Sequence, residues 1–105
     1  MADEYRVLRW EEEAAPDAMR AKETLQSDGY TSFQWSDSPG AYYPEHSHPD
    51  DQSHFILSGT LELNVKGVGT VVLGPGDRDL MPAGTVHSAR VAGDEPVVYL
   101  IGSKS

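Results

Sequence analysis

Four histidines stand in this sequence, at positions 46, 48, 54 and 87. Three of them crowd one stretch, GAYYPEHSHPDDQSHFILSG, from Gly40 to Gly59. The fourth, His87, follows the turn residues of GDRDLMPAGTVHSARV. A neutral imidazole is the commonest side-chain ligand for a metal ion. His46 and His48 are two residues apart, so on a strand both rings leave the same face. Two imidazoles on one face, joined by a third from another strand, make an incomplete coordination sphere. Open spheres of this kind serve catalysis, whereas closed ones serve structure.

The spacing around these histidines carries more than the ring count. Gly40 is followed by five residues, His46-Ser47-His48, three residues, Gln52, six residues and Gly59. Gly76 is followed by five residues, Pro82-Ala83-Gly84, two residues and His87, with Val91 four further on. The two stretches, 40–59 and 76–91, resemble the two motifs of the cupin family, in order and in register. Two departures stand out. Gln52 takes the place of the family's glutamate, and Val91 that of an asparagine. The resemblance implies an all-β fold, a double-stranded β-helix or jelly-roll barrel, with one divalent transition metal inside. It implies His46, His48 and His87 as ligands, with Gln52 available as the fourth. It does not fix a reaction, because cupins include dioxygenases, isomerases, epimerases, sugar binders and seed storage proteins.

Gln52 changes the electrostatics of such a site. A glutamate would bring one negative charge, whereas glutamine offers a neutral carbonyl oxygen. Three imidazoles and an amide leave a divalent ion near +2, which acidifies bound water and attracts an anionic oxygen ligand. Neutral nitrogen donors suit Zn, Fe, Cu or Ni better than Mg or Ca. Gln52 could instead orient a histidine from behind. His54 lies two beyond Gln52 and shares its parity, so it is expected at the same cavity. Fourth ligand, catalytic acid–base group and hydrogen-bonded wall are all open to it. Tyr42 and Met81 are candidate substrate-binding residues, with Phe33 and Ile56 as further lining.

The elements that must position these groups are short. Tyr5–Trp10 reads as a first strand. Pro16–Ser27 reads as a helix, with Pro16 at its first position and Gly29 past its end. Thr31–Ser36 alternates Thr31, Phe33 and Trp35 with polar residues, the pattern of a half-buried strand. Tyr42, Pro44, His46 and His48 share one parity and face inward if no bulge intervenes. Phe55 and Leu57 are of the outward parity, as are Val98 and Leu100. Leu61, Leu63 and Val65 alternate with polar residues. Residues 66–70 form a hairpin loop, and Val71–Leu73 a short buried strand. Val97–Ile101 is apolar on both faces, and 102–105 is expected to fray. Seven or eight short strands between Gly and Pro turns indicate a sandwich or barrel. The outward apolar residues of two strands call for a cover, either the helix or a second subunit, and a homodimer is expected on that ground.

The chain has 105 residues, the size of a single domain over 1–105. With 17 acidic against 8 basic residues its net charge is −9. That charge repels phosphate backbones, so nucleic acid is not an expected partner. Mean hydropathy is −0.48, and no apolar run approaches the roughly 20 residues of a membrane span. There is no cysteine, which excludes disulfides and thiolate sites. No signal-peptide pattern opens the chain, and a cytoplasmic location is expected. Three functions follow, the last a structural cupin with a relict site, against which the intact histidines count. The first is a metal-dependent enzyme, of dioxygenase or isomerase type, acting on a small anionic or enolisable molecule. The second is a module that binds a metal or small ligand without turnover.

Overall fold

A computed structural model describes residues 4–105. The described elements are, in order, β1 (Arg6–Leu8), α1 (Ala18–Ser27), β2 (Thr31–Asp37), β3 (Tyr42–His46), β4 (Asp51–Ser58), β5 (Thr60–Val65), β6 (Gly69–Leu73), β7 (Arg78–Leu80), β8 (His87–Ala92) and β9 (Val97–Lys104). They form two antiparallel sheets, ordered β1-β7-β4-β9-β2 and β3-β8-β5-β6. The fold is thus all-β with one short helix, a double-stranded β-helix. No described helix is long and apolar enough to cross a membrane.

Alternation in the sequence becomes the core between the sheets. Leu61, Leu63 and Val65 of β5 point inward with Val71 and Leu73 of β6. They meet Ile56 of β4 and Val97 and Tyr99 of β9 from the other sheet. Val72 of β6 is exposed, so this edge strand alternates rather than being buried on both faces. The central strands β4 and β9 bury both faces. Their outward residues Phe55 and Leu100 pack with Ala21 and Leu25 of α1 and with Tyr30. Leu57 and Trp10 lie against the same cluster. The helix, the first of the two covers expected, therefore lies over Phe55, Leu57 and Leu100.

Three further expectations are corrected. Asp17, not Pro16, opens the helix: it is the N-cap, and its carboxylate accepts from Met19 N at 3.1 Å. Such a cap contributes about 1 kcal/mol. Gly29, at φ +92°, then leads the chain out as expected. The second correction concerns residues 102–104, which do not fray. They extend β9, with Ser103 opposite both Thr31 and Gln52. Gly102 makes this close fit possible, because a Cβ there would press on the Tyr30 ring. Third, β2 is an edge strand whose Phe33 and Trp35 are 55% and 46% exposed.

The turn at 74–77 is anchored by Asp77. Asp77 accepts from Gly74 N and Trp10 N, both at 2.9 Å, and pairs with Arg9 at 3.0 Å. Partial burial would raise its carboxyl. The two amides and the Arg9 guanidinium outweigh burial and hold it below the usual carboxylate range. The Trp10 ring lies where a Cβ on Gly76 would go, and Gly76 sits at φ +88°.

Leu25 is fully buried beneath the helix, whereas Met19 on the same helix is exposed. Leu25→Ala should lower unfolding free energy by about 2–5 kcal/mol in urea titration. Met19→Ala should change it by less than about 0.5 kcal/mol. Equal effects would mean that the helix does not dock as described.

Candidate metal centre and active-site cavity

His46 ends β3, His87 begins β8, and the two are register partners. His48 follows in the link to β4. Backbone bonds join the two motif stretches at this point. Gly84 N donates to His48 O at 2.8 Å. Gln52 and Met81 exchange two bonds of 2.8 Å. Asp51 accepts from Ala83 N at 2.8 Å. The Pro82–Gly84 turn is thus fixed to both His48 and β4 before it delivers His87.

The result is a group of three imidazoles whose candidate ligand atoms all lie within 4.8 Å of one another. Nδ1 of His46 is 2.7 Å from the Pro44 carbonyl, and Nδ1 of His87 is 2.9 Å from that of Thr85. A carbonyl only accepts, so each Nδ1 carries the proton and each Nε2 keeps its lone pair. Burial pushes His48 below the ordinary imidazole value, and the neighbouring His46 and His54 push it further. Burial also lowers His87; its bond to Thr85 opposes this, and the rings of His46, His54 and His48 add to it. Neutral rings with inward lone pairs are what a metal ion requires. These three residues could hold one.

The imidazoles open into a cavity of about 330 Å³, which Gln52 and His54 also line. His54 stands outside the group of three, with its ring centroid 6.3 Å from that of His87. Its Nδ1 lies 3.0 and 3.1 Å from the two carboxylate oxygens of Asp79. Asp79 is 0% exposed. It also accepts from His54 N at 2.7 Å and from the Tyr5 hydroxyl at 2.9 Å. Burial alone would lower the imidazole of His54. The Asp79 charge and hydrogen bond together outweigh burial and raise it. Burial and the same carboxylate raise the Tyr5 hydroxyl.

The remaining expected site residues fall elsewhere. Tyr42 is 61% exposed and does not line the cavity. The reason is a bulge in β3. Tyr43 opposes Ala89 and His46 opposes His87, so three steps on β3 match two on β8. The extra residue reverses parity, and Tyr43 takes the inward place. Met81 is 2% exposed and belongs to the core, held by its backbone to Gln52. Phe33 does line the cavity, whereas Ile56 is core.

Sequence reasoning missed two carboxylates, Asp79 and Asp37. Asp37 accepts from Trp35 Nε1 at 3.0 Å, from the Tyr43 hydroxyl at 2.6 Å and from the Tyr99 hydroxyl at 3.0 Å. All three aromatic rings line the cavity. An acid followed by no special spacing gives no signal in a sequence with 17 of them.

Each of the three clustered rings should be needed for a metal. Replacing His87 by alanine should strongly reduce occupancy by elemental analysis, and full occupancy would refute the grouping. Depressed imidazoles compete with protons only at lower pH. Metal should therefore stay bound as pH falls through the ordinary imidazole value of about 6.5, and leave below it. In the metal-free protein, NMR titration should find His48 and His87 below the ordinary imidazole value, and either one titrating above it would contradict this placement.

Comparison with known proteins agrees with this geometry. The profile of the family described as "Cupin domain" matches residues 33–102. Dimethylsulfoniopropionate lyase DddQ of Ruegeria pomeroyi is 40% identical over 62 residues, 59% of this chain and 30% of the lyase. The crystal structure of that lyase superposes with a TM-score of 0.66 at 33% identity, over 74% of this chain and 39% of the other. The structure of KdgF from Halomonas sp. gives 0.62 at 25% identity, covering 72% of this chain and 70% of that one. Oxalate decarboxylase OxdC of Bacillus subtilis gives 0.63 at 28% identity, covering 70% and 21%. The chain thus spans well under half the length of the lyase it resembles. With two motif stretches in register, three imidazoles at one end of the barrel and a profile match over most of its length, the chain belongs to the cupin family.

Proposed function

We propose that this chain is a metal-dependent enzyme that removes a proton beside a small carboxylate, in an elimination of the lyase type. The observation that carries the reading is the placement of His54. It lines the same cavity as the three-imidazole group, stands outside that group, and is held by a fully buried carboxylate. Ligand and acid–base group are thereby separate residues facing one space. Similarity to a dimethylsulfoniopropionate lyase and to a decarboxylase supports carboxylate substrates. It turns the reading from oxygenation or isomerisation toward bond cleavage.

His46, His48 and His87 hold the metal, with the neutral oxygen of Gln52 at its edge. A divalent ion there supplies positive charge for the substrate carboxylate and for the negative charge that develops on it. Zn, Fe, Cu or Ni suits the three nitrogens. Manganese joins them, since oxalate decarboxylase carries Mn(II) centres. Asp79 accepts the Nδ1 proton of His54 and leaves Nε2 as the base. Nε2 takes the proton from the carbon next to the carboxylate. That electron pair forms the C=C bond, and the bond from the next carbon to its substituent breaks. The substituent leaves with its pair, so no oxidant or second substrate is needed.

The test is turnover of dimethylsulfoniopropionate by metal-loaded protein, with dimethyl sulfide and oxygen consumption both measured. Sulfide release without oxygen uptake is expected. His54→Gln should keep its metal and lose about 10²-fold or more in kcat. Asp79→Asn should lower kcat more than it alters KM. Metal retention with no turnover of this or other β-substituted propionates would leave a binding module instead.

Gln52→Glu probes the charge of the shell. One added carboxylate should keep or strengthen divalent metal binding and weaken azide, because the site loses one unit of positive charge. Unchanged metal and azide affinities would remove Gln52 from the metal's surroundings.

A further inference from the structure

The wall of the cavity also carries four aromatic rings that the imidazoles do not explain, those of Phe33, Trp35, Tyr43 and Tyr99. Phe33 and Trp35 meet edge to face, with centroids 6.2 Å apart. Trp35, Tyr43 and Tyr99 each direct their polar edge to a single carboxylate, that of Asp37. Asp37 is largely buried, and all three of these partners are neutral donors. Among the described residues that line the cavity there is no lysine or arginine. The carbon surfaces of four rings therefore bound a space backed by an uncompensated negative charge.

Such a surface has a definite preference. The faces of aromatic rings attract a cation, more strongly when water is excluded. A compact, permanently charged onium group with methyl substituents has a weak hydration shell to lose and fits carbon walls. An ammonium with free N–H groups needs hydrogen-bond acceptors, and here the Asp37 oxygens already accept from the three rings. A second anion would face Asp37. A neutral alkyl group would gain contact but no electrostatic attraction.

We propose that Phe33, Trp35, Tyr43 and Tyr99, with Asp37 behind them, form a subsite that selects a methylated onium group on the substrate. Its link to substrate rests on the lyase reading above, since a carboxylate at the metal and an onium group at the rings would be the two ends of one zwitterion. Trp35 is a specificity-determining residue and takes no part in the chemistry. Asp37 positions the rings and supplies the field.

Choline and its neutral isostere 3,3-dimethylbutan-1-ol isolate this wall, because neither has a carboxylate for a metal. Titration calorimetry on the wild-type protein, with and without metal, compares them directly. Choline should bind at least about tenfold more tightly than the alcohol. Trp35→Leu should remove most of that ratio, and Trp35→Phe should retain part of it. Asp37→Asn should weaken choline and leave the alcohol unchanged. Equal wild-type affinities for choline and the alcohol would overturn the proposal, with no variant needed. So would a ratio that survives Trp35→Leu. Failure of turnover with the choline preference intact would sink the lyase reading and leave the subsite standing. Turnover without the preference would do the opposite.

Discussion

Three imidazoles within 4.8 Å of one another can share a metal ion only as neutral rings. That constraint shapes the end of the barrel. Burial disfavours the charged form, and it is the leading influence on both His48 and His87. A neutral ring is useful only if its lone pair points inward. The carbonyls of Pro44 and Thr85 fix that choice by taking the Nδ1 protons of His46 and His87. The backbone must also bring residues 39 or more positions apart in the chain to one point. The His46–His87 register and the bonds from Gly84 and Met81 to the first motif do this.

Much of this was legible in the sequence, and the reasons are local. Motif spacing placed His46, His48 and His87 because a turn of fixed length fixes where the next strand starts. Alternation placed Leu61, Leu63 and Val65 because β5 lies inside a sheet with one face on the core. The helix was legible, though its start lay two residues later than Pro16 suggests, at a side-chain cap.

What was not legible depends on neighbours far away in sequence. The bulge that exchanges Tyr42 for Tyr43 is a mismatch between β3 and β8, so neither strand alone records it. Residues 102–104 look like a polar tail, yet they are held on both sides by β2 and β4. Phe33 and Trp35 alternate like core residues, but their strand is at an edge and their rings line the cavity. Asp79 is invisible because its meaning lies in Tyr5 and His54, 74 and 25 positions away. Buried polar networks are specified by the complete set of partners, and such a set has no period in the chain.

The two buried carboxylates give the cavity its chemical polarity. Each is surrounded by donors rather than paired with lysine or arginine: Asp79 by a hydroxyl, an amide and an imidazole, Asp37 by two hydroxyls and an indole. A guanidinium in either place would neutralise the field before it reached the cavity. Arg78, a buried cation, is directed to Asp28 and Ser53 on the helix side of the sheet. Glutamine rather than glutamate at 52 withholds a further negative charge from the imidazole side. A neutral residue beside the proposed ion leaves that side positive, while Asp37 keeps the aromatic side negative. A glutamate at 52 would reduce the difference between the sides by one charge. On the proposed reading, Gln52, one of the two departures from the family pattern, sharpens the cavity's preference for a molecule charged oppositely at its two ends.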